Sequence, residues 1–204
     1  ACLRMEAVAI PPRRARAPWP EAPAAPAGAA LAIEAVTLAA PGRGAGGAAL
    51  EAVTLALAPG EALALTGGPG AGKSALLRVA AGLAAPEAGR VARGGRRRPQ
   101  LVLGAPGSGL TPWLSVGAQL GERLRGRGLS RREVAARVRG ALAEVGLPGA
   151  ERARPAQLTE LERRRAAIAR AVAAPPGLLL LDAPEAGLDP TAAAEILNLL
   201  GALR

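Results

Sequence analysis

Residues 67–74, with the sequence GGPGAGKS, are of the types and in the order that bind a nucleotide phosphate. Glycines allow successive backbone N–H groups to surround an anion, because no side chain obstructs the approach. Lys73 is expected to reach the β- and γ-phosphates, and the Ser74 hydroxyl is expected to ligate Mg²⁺. Lys73 is the only lysine among 26 basic residues, so composition does not explain its position. We therefore predict a phosphate loop whose nucleotide contacts are Gly67, Gly68, Pro69, Gly70, Ala71, Gly72, Lys73 and Ser74.

Neighbouring elements must position this loop. The apolar run 62–65 predicts a strand that leads into it, and 74–84 predicts a helix whose positive N-terminal end faces the same anion. A second apolar run, LLLLD, ends in Asp182 and is typical of a strand buried in a parallel sheet. An acid at the carboxyl end of a neighbouring strand is where Mg²⁺ finds a second protein ligand. Ser74 and Asp182 are therefore the predicted metal ligands.

The remaining pattern predicts an α/β domain at 30–204 that follows a Pro/Ala-rich stretch. Alternating apolar residues between 30 and 58 predict two antiparallel strands, and 100–103 predicts another strand. Helix signals occur in three further places: from the capping box of Ser130 and Glu133 to Gly146, near 160–173, and after Asp189. Residues 1–29 predict a tail or linker that is largely disordered.

Composition restricts the class of protein. Half of the 204 residues are apolar, which suffices for a core although Phe, Tyr and His are absent. The net charge of +10 raises nucleic acid or an acidic membrane surface as partners. The arginines are scattered apart from short runs such as Arg163–Arg165, and no aromatic residues alternate with them. We interpret them as a solvated basic surface and expect no specific nucleic acid. No apolar run is long enough to span a membrane, and the one cysteine, Cys2, excludes an internal disulfide.

Over residues 30–204 the order of segments resembles the ATP-binding subunits of ABC transporters. The stretch LTELERRRAAIARAVAAPPGLLLLDAPEAGLDP is similar to their signature-to-D-loop region, and LVLGAPGSGLTPWLSVGAQL to their Q-loop region, most closely in the dipeptide, oligopeptide and nickel importers. The resemblance implies a P-loop NTPase fold: a RecA-like core with a parallel sheet, an antiparallel β-subdomain, and a helical subdomain at about 105–158. It implies ATP and Mg²⁺ as cofactors, and head-to-tail pairing with a second ATP-binding subunit. It also implies transmembrane permease partners and a cytoplasmic location, peripheral on the inner face of the cell membrane.

Several positions depart from the family pattern. Ala183 stands where the family has the glutamate that polarises the attacking water, and losing a general-base contact typically costs about 10²–10⁴-fold in rate. Gly104 occupies the position of the Q-loop glutamine, and Gln100 lies too early in the chain to replace it. The adenine-stacking aromatic falls near Ala40. The switch histidine is absent, and the chain is expected to stop before its usual place.

The signature, which usually reads Leu-Ser-Gly-Gly-Gln, is Leu158, Thr159, Glu160, Leu161 and Glu162 here. Thr159 is expected to replace the serine hydroxyl, whereas Glu160 brings negative charge near the nucleotide of the paired subunit. Leu161 blocks the close backbone approach that glycine allows. The D-loop aspartate is retained as Asp189. We predict that the chain binds Mg-ATP and hydrolyses it poorly, with no intact catalytic glutamate.

Alternatives stay open at this point. The alternatives are a fully competent ATPase, a degenerate or regulatory half of a fused or paired ABC ATPase, and a non-transport ABC-type ATPase that acts on nucleic acid. Trp113 either fills the core of the helical subdomain or is exposed as an anchor for the transmembrane partner.

Overall fold

The computed structural model describes residues 4–7, 28–39, 48–95, 97–104 and 109–203. The chain divides into two compact units, which are described separately below. The first falls within Ala1–Leu101 and Pro176–Leu180, and the second within Val102–Pro175 and Leu181–Arg204.

An antiparallel sheet forms the centre of the first unit. Its described elements up to residue 93 are β1 (Arg4–Ala7), β2 (Leu31–Ala39), β3 (Ala48–Leu57), β4 (Leu63–Thr66), α1 (Lys73–Ala81) and β5 (Ala88–Arg93). Strand β2 lies between β3 and β5, with Ile33 opposite both Leu55 and Val91. Ile33 and Val36 are fully buried and pack in one core with Leu76 and Val79 of α1. The predicted antiparallel strands between 30 and 58 are confirmed.

Strand β1 changes our prediction for residues 1–29. Arg4–Ala7 pairs antiparallel with β4, with Arg4 opposite Thr66 and Ala7 opposite Leu63. These four residues are therefore not part of a disordered tail. Main-chain pairing needs only N–H and C=O groups, which composition does not reveal, and β4 requires partners for its own groups. Residues 1–3 and 8–27 lie outside the described residues.

Strand β5 was not predicted from the sequence. It occupies the glycine- and arginine-rich connection after α1. The first three residues of β5 are exposed and only Val91 and Ala92 are well buried, so the sequence shows too short an apolar run to predict a strand. Arg93 then donates to the carbonyls of Val79 and Ala80 at 2.6 and 2.7 Å. These carbonyls belong to the last turn of α1, where acceptors have no partner within the helix. Burial lowers the pKa of Arg93.

Two further strands each begin in the first unit and end in the second. They are β6 (Gln100–Leu103) and β7 (Leu179–Asp182), and they pair with each other. The Gln100 N–H donates to the Leu178 carbonyl at 2.8 Å. Leu180 contributes to the core of the first unit. Both strands were predicted from the sequence and are confirmed.

Helices dominate the second unit. They are α2 (Val116–Glu122), α3 (Arg131–Glu144), α4 (Glu160–Val172) and α5 (Pro190–Ala202), with short 3-10 turns at Ala150–Arg152 and Pro155–Gln157. The predicted capping box begins α3: the Glu133 N–H donates to Ser130 Oγ, and the Ser130 N–H donates to the Glu133 carboxylate. Val138, Leu142 and Val145, which follow one another at three- and four-residue spacing, are buried. Among the described helices none is long and apolar enough to cross a membrane.

Candidate nucleotide-binding site

The glycine-rich loop lies between β4, which ends at Thr66, and α1, which begins at Lys73. Its backbone is left-handed at Gly70 and Gly72, with φ of 76° and 88°. A Cβ atom at Gly72 would overlap the carbonyl oxygen of Ala49 on β3, whereas a Cβ at Gly70 would meet nothing. Glycine at 72 is therefore required both by conformation and by the close approach of β3.

Lys73 folds back over this loop. Its Nζ donates to the carbonyls of Gly67 at 2.6 Å and Gly68 at 2.9 Å. No side chain among the described residues caps α1, and its first turn contains no acid. Backbone N–H groups at the start of a helix point toward a bound anion and give this end partial positive charge. The segment Thr66–Gly70 is exposed. An open loop with these donors and one lysine fits a phosphate group.

Asp182 ends β7 and belongs to the second unit, whereas Ser74 belongs to the first turn of α1 in the first unit. Both side chains, a hydroxyl and a carboxylate, are hard oxygen donors of the kind that suits Mg²⁺, and their joint role as metal ligands stays a prediction from the sequence. When bound with ATP, Mg²⁺ would neutralise phosphate charge. Within the described ranges, no group of three or more His, Cys, Asp or Glu forms a separate metal site.

The turn after Asp182 is tight. Ala183 is exposed and has a φ of 47°, and its carbonyl accepts the Ala186 N–H at 3.0 Å. Gly104, at the Q-loop position, lies against this turn: a Cβ there would overlap the carbonyl oxygens of Asp182 and Ala183. No glutamine side chain fits at 104 in this arrangement. Gln100 lies in β6, and its side chain donates to the Pro99 carbonyl at 2.9 Å. Ala40 lies outside the described residues.

The predicted signature residues form the start of α4. Thr159 caps the helix: its Oγ1 accepts the Glu162 N–H at 3.2 Å, and its hydroxyl donates to the Glu162 carboxylate at 2.9 Å. The Thr159 N–H donates to the same carboxylate at 2.8 Å. The Thr159 backbone N–H, followed by the hydroxyl, lowers the pKa of Glu162. The hydroxyl expected to replace the serine of the signature is thus bonded within its own helix.

The three arginines of the 163–165 run were interpreted as solvated, and that interpretation is wrong. Arg163 donates to the carbonyls of Pro155 and Leu158, and Arg165 pairs with Glu195 on α5. Arg164 is only 3% exposed. Sequence reasoning missed Arg164, although it lies four residues after Glu160 and four before the buried Ile168, a spacing that places all three on one helix face.

Asp189, the predicted D-loop residue, is the N-cap of α5. The Asp189 Oδ1 accepts hydrogen bonds from the N–H groups of Thr191 and Ala192, both at 3.0 Å.

Trp113 is 74% exposed and does not fill a core. The turn that contains Trp113 is fixed by hydrogen bonds from the side chain of Gln119, which is only 2% exposed. Sequence reasoning also missed Gln119. Gln119 accepts the Thr111 N–H at 2.7 Å and donates to the carbonyl of Thr111 at 3.1 Å and to that of Leu114 at 3.0 Å.

Strand, glycine loop and uncapped helix together define a phosphate-loop nucleotide-binding domain. The sequence profile of the ABC transporter family matches residues 50–186. The chain therefore belongs to the ABC transporter family, as its ATP-binding domain. The predicted α/β P-loop fold with antiparallel and parallel sheets is confirmed.

Named relatives agree with this family. The chain is 42% identical over 151 residues to the Fe(3+) ions import ATP-binding protein FbpC of Streptomyces avermitilis, covering 71% of the chain and 44% of FbpC. It is 39% identical over 168 residues to the taurine import ATP-binding protein TauB of Pseudomonas aeruginosa, covering 78% of the chain and 62% of TauB. It therefore spans less than two thirds of these two relatives. The structure of cbiO1 from Clostridium perfringens, part of the ABC transporter complex cbiONQ, superposes with a TM-score of 0.69 at 25% identity, over 85% of this chain and 73% of that one.

Our placement of the chain nearest the peptide and nickel importers is not supported. Its relatives include proteins named for the import of ferric ions, taurine and aliphatic sulfonates, and one named for a lipoprotein-releasing system. That placement rested on segments 101–125 and 154–200, which resemble the Q-loop and signature-to-D-loop regions of the whole family and so carry little information about a solute.

Proposed function

We propose that the chain is the ATP-binding, energy-coupling subunit of an ABC importer that holds Mg-ATP but hydrolyses it poorly. The observation that carries the proposal is the phosphate loop, where Lys73 and the uncapped start of α1 are arranged for phosphate. Permease subunits and a second ATP-binding subunit are its partners, which would place it on the inner face of the cell membrane. Support comes from the import functions for which its relatives are named.

Nucleotide binding is tested by thermal unfolding with Mg-ATP. A ligand at 100 times its Kd stabilises the folded state by about 2.7 kcal/mol. We expect Lys73→Ala to abolish this stabilisation, whereas Arg78→Ala, which removes an exposed cation from the same helix, should retain it. GTP should act nearly as well as ATP, because Ala40 provides no ring for the base. No stabilisation of the unmodified chain at millimolar nucleotide would refute the proposal.

Poor hydrolysis is supported by two positions in the second unit. Ala183 has no group to polarise water, and the close contacts of Gly104 leave no room for a glutamine. Phosphate release by the purified chain should be barely above background, and Ala183→Glu alone should recover little, because the start of α4 also departs from the signature. Robust turnover by the unmodified chain would contradict this part of the proposal while leaving nucleotide binding intact.

Trp113 is proposed as an anchor for the permease. Its exposure together with a turn held by Gln119 is the arrangement of a presented contact residue. Trp113→Ala should change the free energy of unfolding by less than about 0.5 kcal/mol but reduce recovery of the complex with co-expressed permease subunits. Leu197→Ala, at another exposed apolar residue of the second unit, is the control and should assemble normally. Normal assembly of Trp113→Ala would remove the anchor role.

A further inference from the structure

Arg164 is a charged residue in the core of the second unit. Burying a guanidinium is unfavourable unless its charge is paired and its N–H groups are bonded. Here Nη1 donates to the Gly104 carbonyl, and Nη2 donates to the Ala186 carbonyl at 3.0 Å. The same Nη2 lies 3.2 Å from the Glu160 carboxylate. One side chain thus joins the end of β6, the turn after Asp182, and the first residue of α4.

Glu160 is the counter-charge of this buried arginine. It is 29% exposed, and it also pairs with Arg163, whose Nη2 lies 3.0 Å from Glu160 Oε2. A carboxylate in the first turn is favoured by the helix dipole. The negative charge that the signature segment gained at 160 is therefore compensated inside the subunit, by two arginines of the same helix.

We propose that Glu160 and Arg164 form a positioning pair that fixes the start of α4 against the turn that follows Asp182. The inference rests on the proposed function, since the start of α4 and this turn matter there as the segments that face nucleotide in a paired subunit. Glycine at 160, the usual signature residue, would then remove the counter-ion of Arg164 and loosen both segments. Repair of the signature requires replacing Arg164 as well.

The test is hydrogen exchange at the Ala186 and Leu188 amides, both of which are bonded within the turn. In Glu160→Gln, exchange should become about tenfold faster, because the buried Arg164 loses its charged partner and its hold on the Ala186 carbonyl weakens. Glu195→Gln is the matched control: it removes the ion pair of the adjacent Arg165, which does not contact this turn, and should leave these amides unchanged.

The double variant Glu160→Gln with Arg164→Gln supplies the decisive comparison. Since it removes both charges, the turn should exchange more slowly than in Glu160→Gln alone, a rescue that independent structural losses would not give. Equal acceleration by Glu160→Gln and Glu195→Gln, or a double variant that exchanges at least as fast as Glu160→Gln alone, would overturn the pair. Exchange is measured without nucleotide, so failure of the pair is distinguishable from failure of Mg-ATP to stabilise the chain.

Discussion

Helices α1 and α4 begin in opposite ways. The N-cap of α1 is Gly72, with no side-chain cap and no acid in the first turn. The N-cap of α4 is Thr159, and Glu160 and Glu162 occupy its first turn. Both ends carry partial positive charge, but only α1 leaves it free for an external anion. The start of α4, which the resemblance predicts to face the nucleotide of a paired subunit, already has two carboxylates of its own chain in its first turn.

The turns beside these helices also differ, in the type of residue that adopts a left-handed backbone. In the phosphate loop the left-handed positions are glycines, whereas Ala183, directly after Asp182, is left-handed without being a glycine. An L-residue in this region is disfavoured by roughly 1–2 kcal/mol. Phosphate binding depends on backbone N–H groups and one lysine, which the chain has kept. Under the proposed function, hydrolysis would depend on side chains at 104 and 183, where this chain has glycine and alanine, so we expect binding and turnover to separate.

The largest expected effect is at Gly72. Gly72→Ala places a methyl group on the Ala49 carbonyl and strains a left-handed residue, and we expect a loss of about 3 kcal/mol together with loss of Mg-ATP stabilisation. Gly70→Ala is the matched control, because its φ is similar but no atom lies near its Cβ. It should cost only about 1 kcal/mol. Urea unfolding measures both, and equal losses would show that β3 does not hold the loop.

A smaller loss, of about 2 kcal/mol, is expected for Gly104→Gln. The substitution would restore the family residue, but its Cβ would overlap the carbonyls of Asp182 and Ala183. We expect lower stability and no gain in phosphate release. Gly140→Gln, at an exposed and open position of α3, should not be destabilising. A stable Gly104→Gln variant with raised turnover would show that the turn yields to a side chain.

Gly72 and Gly104 show how much of the site could be predicted from the sequence. The loop and its strand and helix were predictable because local residue types dictate them. The capping box of α3 and the strand that ends in Asp182 were likewise readable from local patterns. The role of Arg164 was not, because its bonds join residues 60 positions upstream and 22 downstream. From the sequence, Gly104 was interpreted as the loss of the Q-loop glutamine. Only the structure shows that the turn after Asp182 leaves no room for a side chain at this position.

Removing strain should stabilise the turn after Asp182. Ala183→Gly is expected to raise the free energy of unfolding by about 1 kcal/mol, because glycine adopts a φ of 47° without steric cost. Ala52→Gly, in a left-handed bulge of β3, should act in the same direction. Ala136→Gly, on the exposed face of α3, should lower stability by about 1 kcal/mol. Destabilisation by Ala183→Gly would mean that the methyl group makes a contact worth more than the strain.

The smallest effect expected is the acid dependence of the α4 cap. The pKa of Glu162 is lowered in the folded state by the Thr159 N–H and hydroxyl, from an ordinary value of 4.5. A lowered folded pKa stabilises the protein above the unfolded pKa, and that contribution is lost as pH falls below 4.5 through the folded value. Glu162→Gln keeps a capping side chain but cannot titrate, so it should be about as stable as wild type at neutral pH and lose less stability between pH 5 and 3. Urea unfolding across this range compares the slopes of wild type and Glu162→Gln. Parallel slopes for wild type and Glu162→Gln would mean that the start of α4 is not held by the Glu162 charge, which would weaken the contrast with α1.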